Sequence, residues 1–160
     1  MESYSFVTTW KVNAKISDVW KLIMDAEEWP EWWKGFINVK VLQDGNECGQ
    51  GSITHYEAGR FFYSLSFTMK TTAVEKYSFI EGIVAGDLVG TGRWEFSEAN
   101  GTTVVIYYWN VRTTKDWMNR WAWLLRPIFR LSHNMMMKWG EKGLKRRLKD
   151  ATLSLKNGQV

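Results

Sequence analysis

Cysteine and proline are scarce in this sequence of 160 residues, and each scarcity excludes a kind of protein. The single cysteine, Cys48, cannot form an intrachain disulfide, so a disulfide-stapled scaffold is excluded. It lies in the turn-like stretch DGNECGQG, where we interpret it as a loop residue and not as a nucleophile. The two prolines, Pro30 and Pro127, leave no proline-rich linker. We therefore expect one domain over residues 1–160.

Histidine is equally scarce, and this bears on metals and cofactors. His133 is far in the chain from His55 and Cys48, whereas a metal site needs three or four convergent donors. No glycine-rich loop followed by Lys-Ser or Lys-Thr is present to hold a nucleotide phosphate. The sequence therefore predicts no metal and no cofactor.

Long apolar runs are missing as well. The longest, WAWLLRPIFRL, is too short to span a membrane and contains arginines. The first residues lack the charged and apolar regions of a signal peptide. Together with the single cysteine, these features predict a cytoplasmic protein.

Aromatic residues, by contrast, are abundant: they make up 16% of the chain, with 11 tryptophans. Each buries a large and rigid apolar surface, and a small domain needs few of them to fill its core. Three interpretations are open: a cavity with aromatic walls, an exposed contact surface, or aromatic packing alone.

The net charge of +4 comes largely from a basic run near the carboxyl end, between Lys138 and Lys149. Cations there complement the negative end of a helix dipole, so we interpret the run as a solvated helix face. An anionic membrane surface is the alternative, and no nucleic-acid partner is expected.

The pattern of elements runs strand, two short helices, about six strands and a long helix. Ser17 is the expected cap of the first helix, and Pro30 separates the two short ones. From about residue 36 to 112, apolar residues alternate with polar ones as they do in strands, and the Asn-Gly turn at Asn100 marks a hairpin. Short connections favour an antiparallel sheet, which must curl around the long helix.

The long helix, over about residues 117–155, should be interrupted at Pro127, with a kink there, because proline cannot supply the interior hydrogen bond. Counting from Phe129 in steps of three and four reaches His133, Met136 and Leu144, which share one stripe. His133 is therefore predicted to face whatever this helix covers.

Three segments resemble the polyketide cyclase/dehydrase and lipid-transport superfamily, which includes START lipid-transfer domains. They are KISDVWKLIMDAEEWPEWW, the pair GDLVGTGRWEF and GTTVVIYYWNV, and LLRPIFRLSHNMMMKWGEKGLKRRL, which is similar to the helix of a bacterial subgroup. The resemblance implies an α+β helix-grip fold: a curved antiparallel sheet of about seven strands around a long C-terminal helix.

The resemblance further implies a ligand cavity between sheet and helix. The predicted wall is aromatic and methionine-rich, which suits a hydrophobic or amphipathic small molecule, lipid-like or aromatic. The residues that we expect to line it are Tyr63, Phe67, Trp94, Phe96, Tyr107, Trp109, Phe129, His133, Met136 and Met137.

Two functions are compatible with such a cavity, in a monomer or a homodimer. The first is binding without chemistry, with His133 as the polar group that contacts the ligand. The alternative is a polyketide cyclase or dehydratase in which His133 transfers protons, with Tyr107 or Glu57 as partner. His55 and Glu57 share one face of a strand and are weaker candidates, since they also fit a surface pair on an edge strand. Arg93 and Glu95 are expected on the solvated face.

Overall fold

The computed structural model describes residues 3–60 and 63–157, which form seven strands and four α-helices. A short 3-10 turn, Ala26–Glu28, links the first two helices. The helices are α1 (Ile16–Met24), α2 (Trp29–Trp32), α3 (Asp116–Arg120) and α4 (Ala122–Asn157). The strands are β1 (Ser3–Val12), β2 (Phe36–Gln43), β3 (Ile53–Arg60), β4 (Tyr63–Glu75), β5 (Phe79–Gly86), β6 (Leu88–Ala99) and β7 (Thr102–Thr113).

The strands form one antiparallel sheet in the order β1-β7-β6-β5-β4-β3-β2. Consecutive strands from β2 to β7 are neighbours, as their short connections require. Strand β1 pairs with β7, so β1 and β2 are the two edges of the sheet. The β6–β7 hairpin turns at Asn100 and Gly101, both with positive φ, which is the backbone that an Asn-Gly turn supplies. The predicted α+β helix-grip fold is confirmed.

Helix α4 is held against the rest of the molecule by the tryptophans that follow α1. Indole Nε1 of Trp33 donates to the carbonyl oxygen of Met136 at 2.8 Å, across more than a hundred residues of sequence. At Gly140 and Gly143 the helix lies so close that an added Cβ would overlap the Trp33 ring and the Trp32 carbonyl, respectively. Glycine is therefore required at both helix positions despite its low helix propensity.

The Trp33 ring also joins an aromatic core that connects the helices to the sheet. Its centroid lies 5.1 Å from that of Trp10, 5.0 Å from Trp29 and 6.1 Å from Trp94. These separations are those of favourable tilted and edge-to-face pairs. Strands β1 and β6 thus contact α2 and α4 through one group of rings.

Two local predictions were wrong, and each has a physical reason. Ser17 does not cap α1, because the helix already begins at Ile16; there the backbone N–H donates to Oε2 of Glu98 on β6 at 2.7 Å. Nor does Pro127 interrupt the long helix: α4 runs through it, and the break lies at Trp121, between α3 and α4. The carbonyl that Pro127 leaves unpaired belongs to the exposed Trp123, where water can hydrate it.

Replacing Gly143 with alanine should lower the free energy of unfolding by roughly 1–3 kcal/mol, because the new methyl group meets the backbone of Trp32. Chemical denaturation measures the loss. The matched control is Lys142→Ala, at an exposed neighbouring position of the same helix. An equal or higher stability of Gly143→Ala would contradict the close approach, since alanine is the better helix former.

Candidate functional site

A cavity of about 190 Å³ lies between the sheet and α4. All seven strands contribute to its sheet wall, and α4 forms the opposite wall. Aromatic rings and aliphatic or methionine side chains dominate the lining, and among the described residues no Asp, Glu, Lys or Arg contributes to it. The cavity therefore suits an uncharged, largely apolar guest.

Most of the residues predicted from sequence to line a cavity do lie on this wall. Alternation along the strands directs one set inward, and the stripe of α4 directs the other. The residues on the wall are Phe67, Trp94, Tyr107, Trp109, Phe129, His133, Met136 and Met137. That any of them contacts a ligand stays a prediction.

One predicted residue, Phe96, is placed differently. Phe96 shares the inner face of β6 with Trp94 but packs against the ring of Trp20 on α1, at 4.9 Å between centroids, and so belongs to the core beyond the cavity. The side chain of Tyr63 lies outside the described part of the chain.

His55 and Glu57 lie on the outer face of β3, away from the cavity. Their neighbours Thr54, Tyr56 and Ala58 are buried on the inner face and line the wall. Nε2 of His55 is hydrogen-bonded to Oγ of Ser66 on the adjacent strand, at 2.9 Å. The surface pair is thus the better interpretation, although β3 is an interior strand and the sheet edge is β2.

The outer face of β6 carries the expected charged pair. Arg93 donates from Nε to Oε1 of Glu95 and from Nη1 to Oε2 of Glu81, both at 2.8 Å. These side chains are about one-third exposed or more, so the network contributes little to stability.

His133 is the most unusual polar group of the cavity wall. Its ring stacks on Phe6, with 3.9 Å between centroids and 13° between planes. Both ring nitrogens are buried, and neither has a hydrogen-bond partner among the described residues. Buried polar atoms are usually satisfied, so this pair marks a place where a further polar group would be stabilising.

Burial lowers the pKa of His133 from 6.5 to about 4. The neighbouring Asn134 opposes this shift, but its effect is smaller than that of burial. At neutral pH the ring is therefore uncharged, with one N–H that can donate and one nitrogen that can accept.

Tyr107 and Tyr56 supply two further hydroxyl groups in the lining. The Tyr107 ring stacks on Trp94 at 3.9 Å, and the Tyr56 ring stacks on Phe67 at 5.4 Å. Burial raises the pKa of both hydroxyls well above the usual value, so both keep their protons. They can donate hydrogen bonds but cannot act as bases.

Several residues of the wall were not predicted from the sequence, including Phe6, Trp29, Trp33 and Tyr56. The motif WPEWW could have indicated Trp29 and Trp33, because large apolar rings next to a helix break are expected to be buried in the core. Tyr56 was not predicted because its titratable neighbours, His55 and Glu57, were selected as candidates, and these lie on the opposite face of the same strand.

A curved antiparallel sheet around a long helix, with an apolar cavity between them, is the architecture of the START-like, helix-grip fold. The chain matches the family model described as polyketide cyclase/dehydrase and lipid transport over residues 12–151, and it belongs to that family.

Solved structures agree with this assignment at the level of the fold. A START superfamily protein from Mycobacterium smegmatis matches with a TM-score of 0.72 and 16% identity, over 92% of this chain and 98% of that one. TTHA0849 from Thermus thermophilus matches with a TM-score of 0.79 and 17% identity, over 92% of this chain and 99% of that one. The Zhui aromatase/cyclase from Streptomyces sp. R1128 matches with a TM-score of 0.68 and 12% identity, over 92% of this chain and 96% of that one. A search of curated proteins found no match.

The buried state of His133 has a measurable consequence for stability. The unfolded chain takes up a proton on His133 near pH 6.5, the folded protein only near pH 4. Stability should therefore fall as the pH drops through this window, by up to roughly 3 kcal/mol. Denaturation of the wild type and of His133→Phe at several pH values measures the difference.

NMR titration of the imidazole protons, assigned with His55→Gln, provides the direct check. An ordinary pKa for His133, or the same pH dependence of stability in His133→Phe, would contradict the buried environment.

Proposed function

We propose that this protein binds a hydrophobic small molecule with one polar group, lipid-like or aromatic, in the cavity between sheet and α4. The observation that carries the proposal is the combination of an uncharged, aromatic-lined cavity with a buried histidine whose ring nitrogens lack partners among the described residues. Family membership supports the same class of function, since the family description names lipid transport.

The size of the cavity supports a ring-sized or larger guest. An engineered apolar cavity of about 150 Å³ takes up benzene, and the cavity here, at about 190 Å³, exceeds it. The aromatic rings of Trp94, Tyr107 and Phe67 line one wall, and Met136 and Met137 on the opposite wall can adapt to different shapes.

His133 would orient such a guest. A hydroxyl or carbonyl group placed beside the imidazole would form a hydrogen bond with one ring nitrogen. Without such a group, burial of that nitrogen costs the free energy of its lost hydrogen bond to water. A purely apolar molecule would gain the same burial but leave the nitrogens unpaired. The site should therefore prefer amphipathic over purely apolar ligands of the same shape.

The geometry supports binding more strongly than cyclase-type proton transfer. Glu57 faces the opposite side of the sheet, and Tyr107 keeps its proton and therefore supplies no base. With a pKa of about 4, His133 is a weak base at neutral pH and is not available as an imidazolium acid. Likeness to an aromatase/cyclase at 12% identity concerns the fold.

The preference for a polar group is tested with naphthalene and 2-naphthol, which differ by one hydroxyl. His133→Phe keeps a ring beside Phe6 but removes both nitrogens. We expect it to bind 2-naphthol about two- to tenfold more weakly than the wild type does, with naphthalene affinity unchanged or higher. Titration calorimetry gives both affinities. An equal loss for both compounds would argue against a hydrogen bond to His133.

The location of the site is tested with a matched pair of substitutions. Ala58→Leu adds bulk on the cavity wall of β3, whereas Ala85→Leu adds the same bulk at an exposed position of β5. The first should weaken 2-naphthol binding by about tenfold or more through loss of space, and the second should not. Equal affinities, with both variants folded by circular dichroism, would place the ligand elsewhere.

A further inference from the structure

The first half of α4 is apolar on the side that faces away from the molecule. Leu124, Ile128 and Leu131 follow the i, i+4, i+7 spacing of one helix stripe, and they are 48%, 50% and 69% exposed. Trp123 is 76% exposed, and Trp117 and Trp121 are about half exposed. We call these six residues the α3–α4 patch.

This exposure is unusual because six large apolar side chains are exposed within residues 117–131, instead of being scattered over the surface. Scattered apolar residues on a surface need no explanation, but a contiguous group of them marks a contact site. The opposite side of the same helix, with Phe129, His133 and Met136, already lines the cavity. The helix is thus apolar on two faces, and only one of them is covered by the described residues.

The charge around the patch identifies the kind of partner. Between Asp116 and Glu141 the sequence contains no acidic residue, while Arg120, Arg126, Arg130 and Lys138 are all exposed. Tryptophan beside arginine and lysine is the composition of protein segments that lie in the interface of a lipid bilayer.

A second copy of this chain fits the patch less well. In a two-fold symmetric dimer the same patch would face itself, and basic residues beside it, such as Arg130 and Lys138, would be brought toward the same residues of the second copy. The surface of an anionic membrane offers the opposite charge and accepts the tryptophans. Among the described residues no helix is both long and apolar enough to cross a membrane.

We propose that the α3–α4 patch docks on the surface of an anionic lipid membrane, with the tryptophans in the headgroup region and the basic residues beside the phosphates. One helix would then separate the bilayer from the cavity. The inference does not depend on the proposed ligand, because docking needs only the outer face of α3 and α4.

Co-sedimentation of the full chain with vesicles tests the proposal. Vesicles of phosphatidylcholine alone are compared with vesicles containing a third of phosphatidylglycerol. We expect about tenfold or stronger preference for the anionic vesicles, and weaker binding when the salt rises from about 0.1 M to about 1 M.

Paired variants locate the surface. Trp123→Ser/Leu131→Ser should reduce vesicle binding by about tenfold or more, while Val7→Ser/Ile83→Ser, at similarly exposed apolar positions elsewhere, should not. Arg130→Gln/Lys138→Gln should weaken binding by about fivefold per residue, whereas Lys11→Gln/Lys40→Gln, with the same change in charge, should have little effect.

Three results would overturn the proposal. One is the absence of binding to anionic vesicles. A second is binding that survives the patch variants but is lost in Lys142→Gln/Arg146→Gln, which would assign it to the basic carboxyl-terminal run. The third is a dimer, measured by sedimentation, that Trp123→Ser/Leu131→Ser dissociates. Binding of 2-naphthol should be unchanged in the patch variants, so failure of docking and failure of ligand binding are distinguishable.

Discussion

The close contact between α4 and the tryptophan segment after α1 is the constraint on which the rest of the structure depends. Gly140 and Gly143 let the helix backbone reach Trp32 and Trp33, and the Trp33 indole donates to a carbonyl of the same helix. This contact sets the distance between α4 and the sheet at one end. The cavity lies nearer the start of α4, where His133 and methionines, and not glycines, face the sheet.

The tryptophans illustrate how one residue type serves three purposes in a small chain. Trp10 and Trp33 pack in the core, Trp94 and Trp109 form part of the cavity wall, and Trp123 lies exposed on α4. Tryptophan therefore occurs in the core, on the cavity wall and on the surface of one molecule. An aromatic ring fits each location because it is large and rigid and, in tryptophan, carries one polar N–H.

The environment of His133 determines its charge and its hydrogen bonding. The same side chain on the surface would be hydrated and would titrate near its ordinary pKa. Stacked on Phe6 and buried, it is uncharged at neutral pH and lacks hydrogen-bond partners among the described residues. These properties favour recognition of a ligand's polar group over the transfer of protons.

What the sequence determined by itself was the order of elements, the antiparallel sheet and the inward stripe of α4, because strand alternation and helical spacing are local patterns. The stripe alone sufficed to place Phe129, His133 and Met136 on the face that covers the sheet. Tertiary structure decided what local patterns do not contain. Glu98, distant in sequence, accepts the first N–H of α1 in place of the predicted Ser17 cap. Strand register decided that Tyr56, and not His55 or Glu57, faces the cavity, because a shift of one residue exchanges the two faces of a strand.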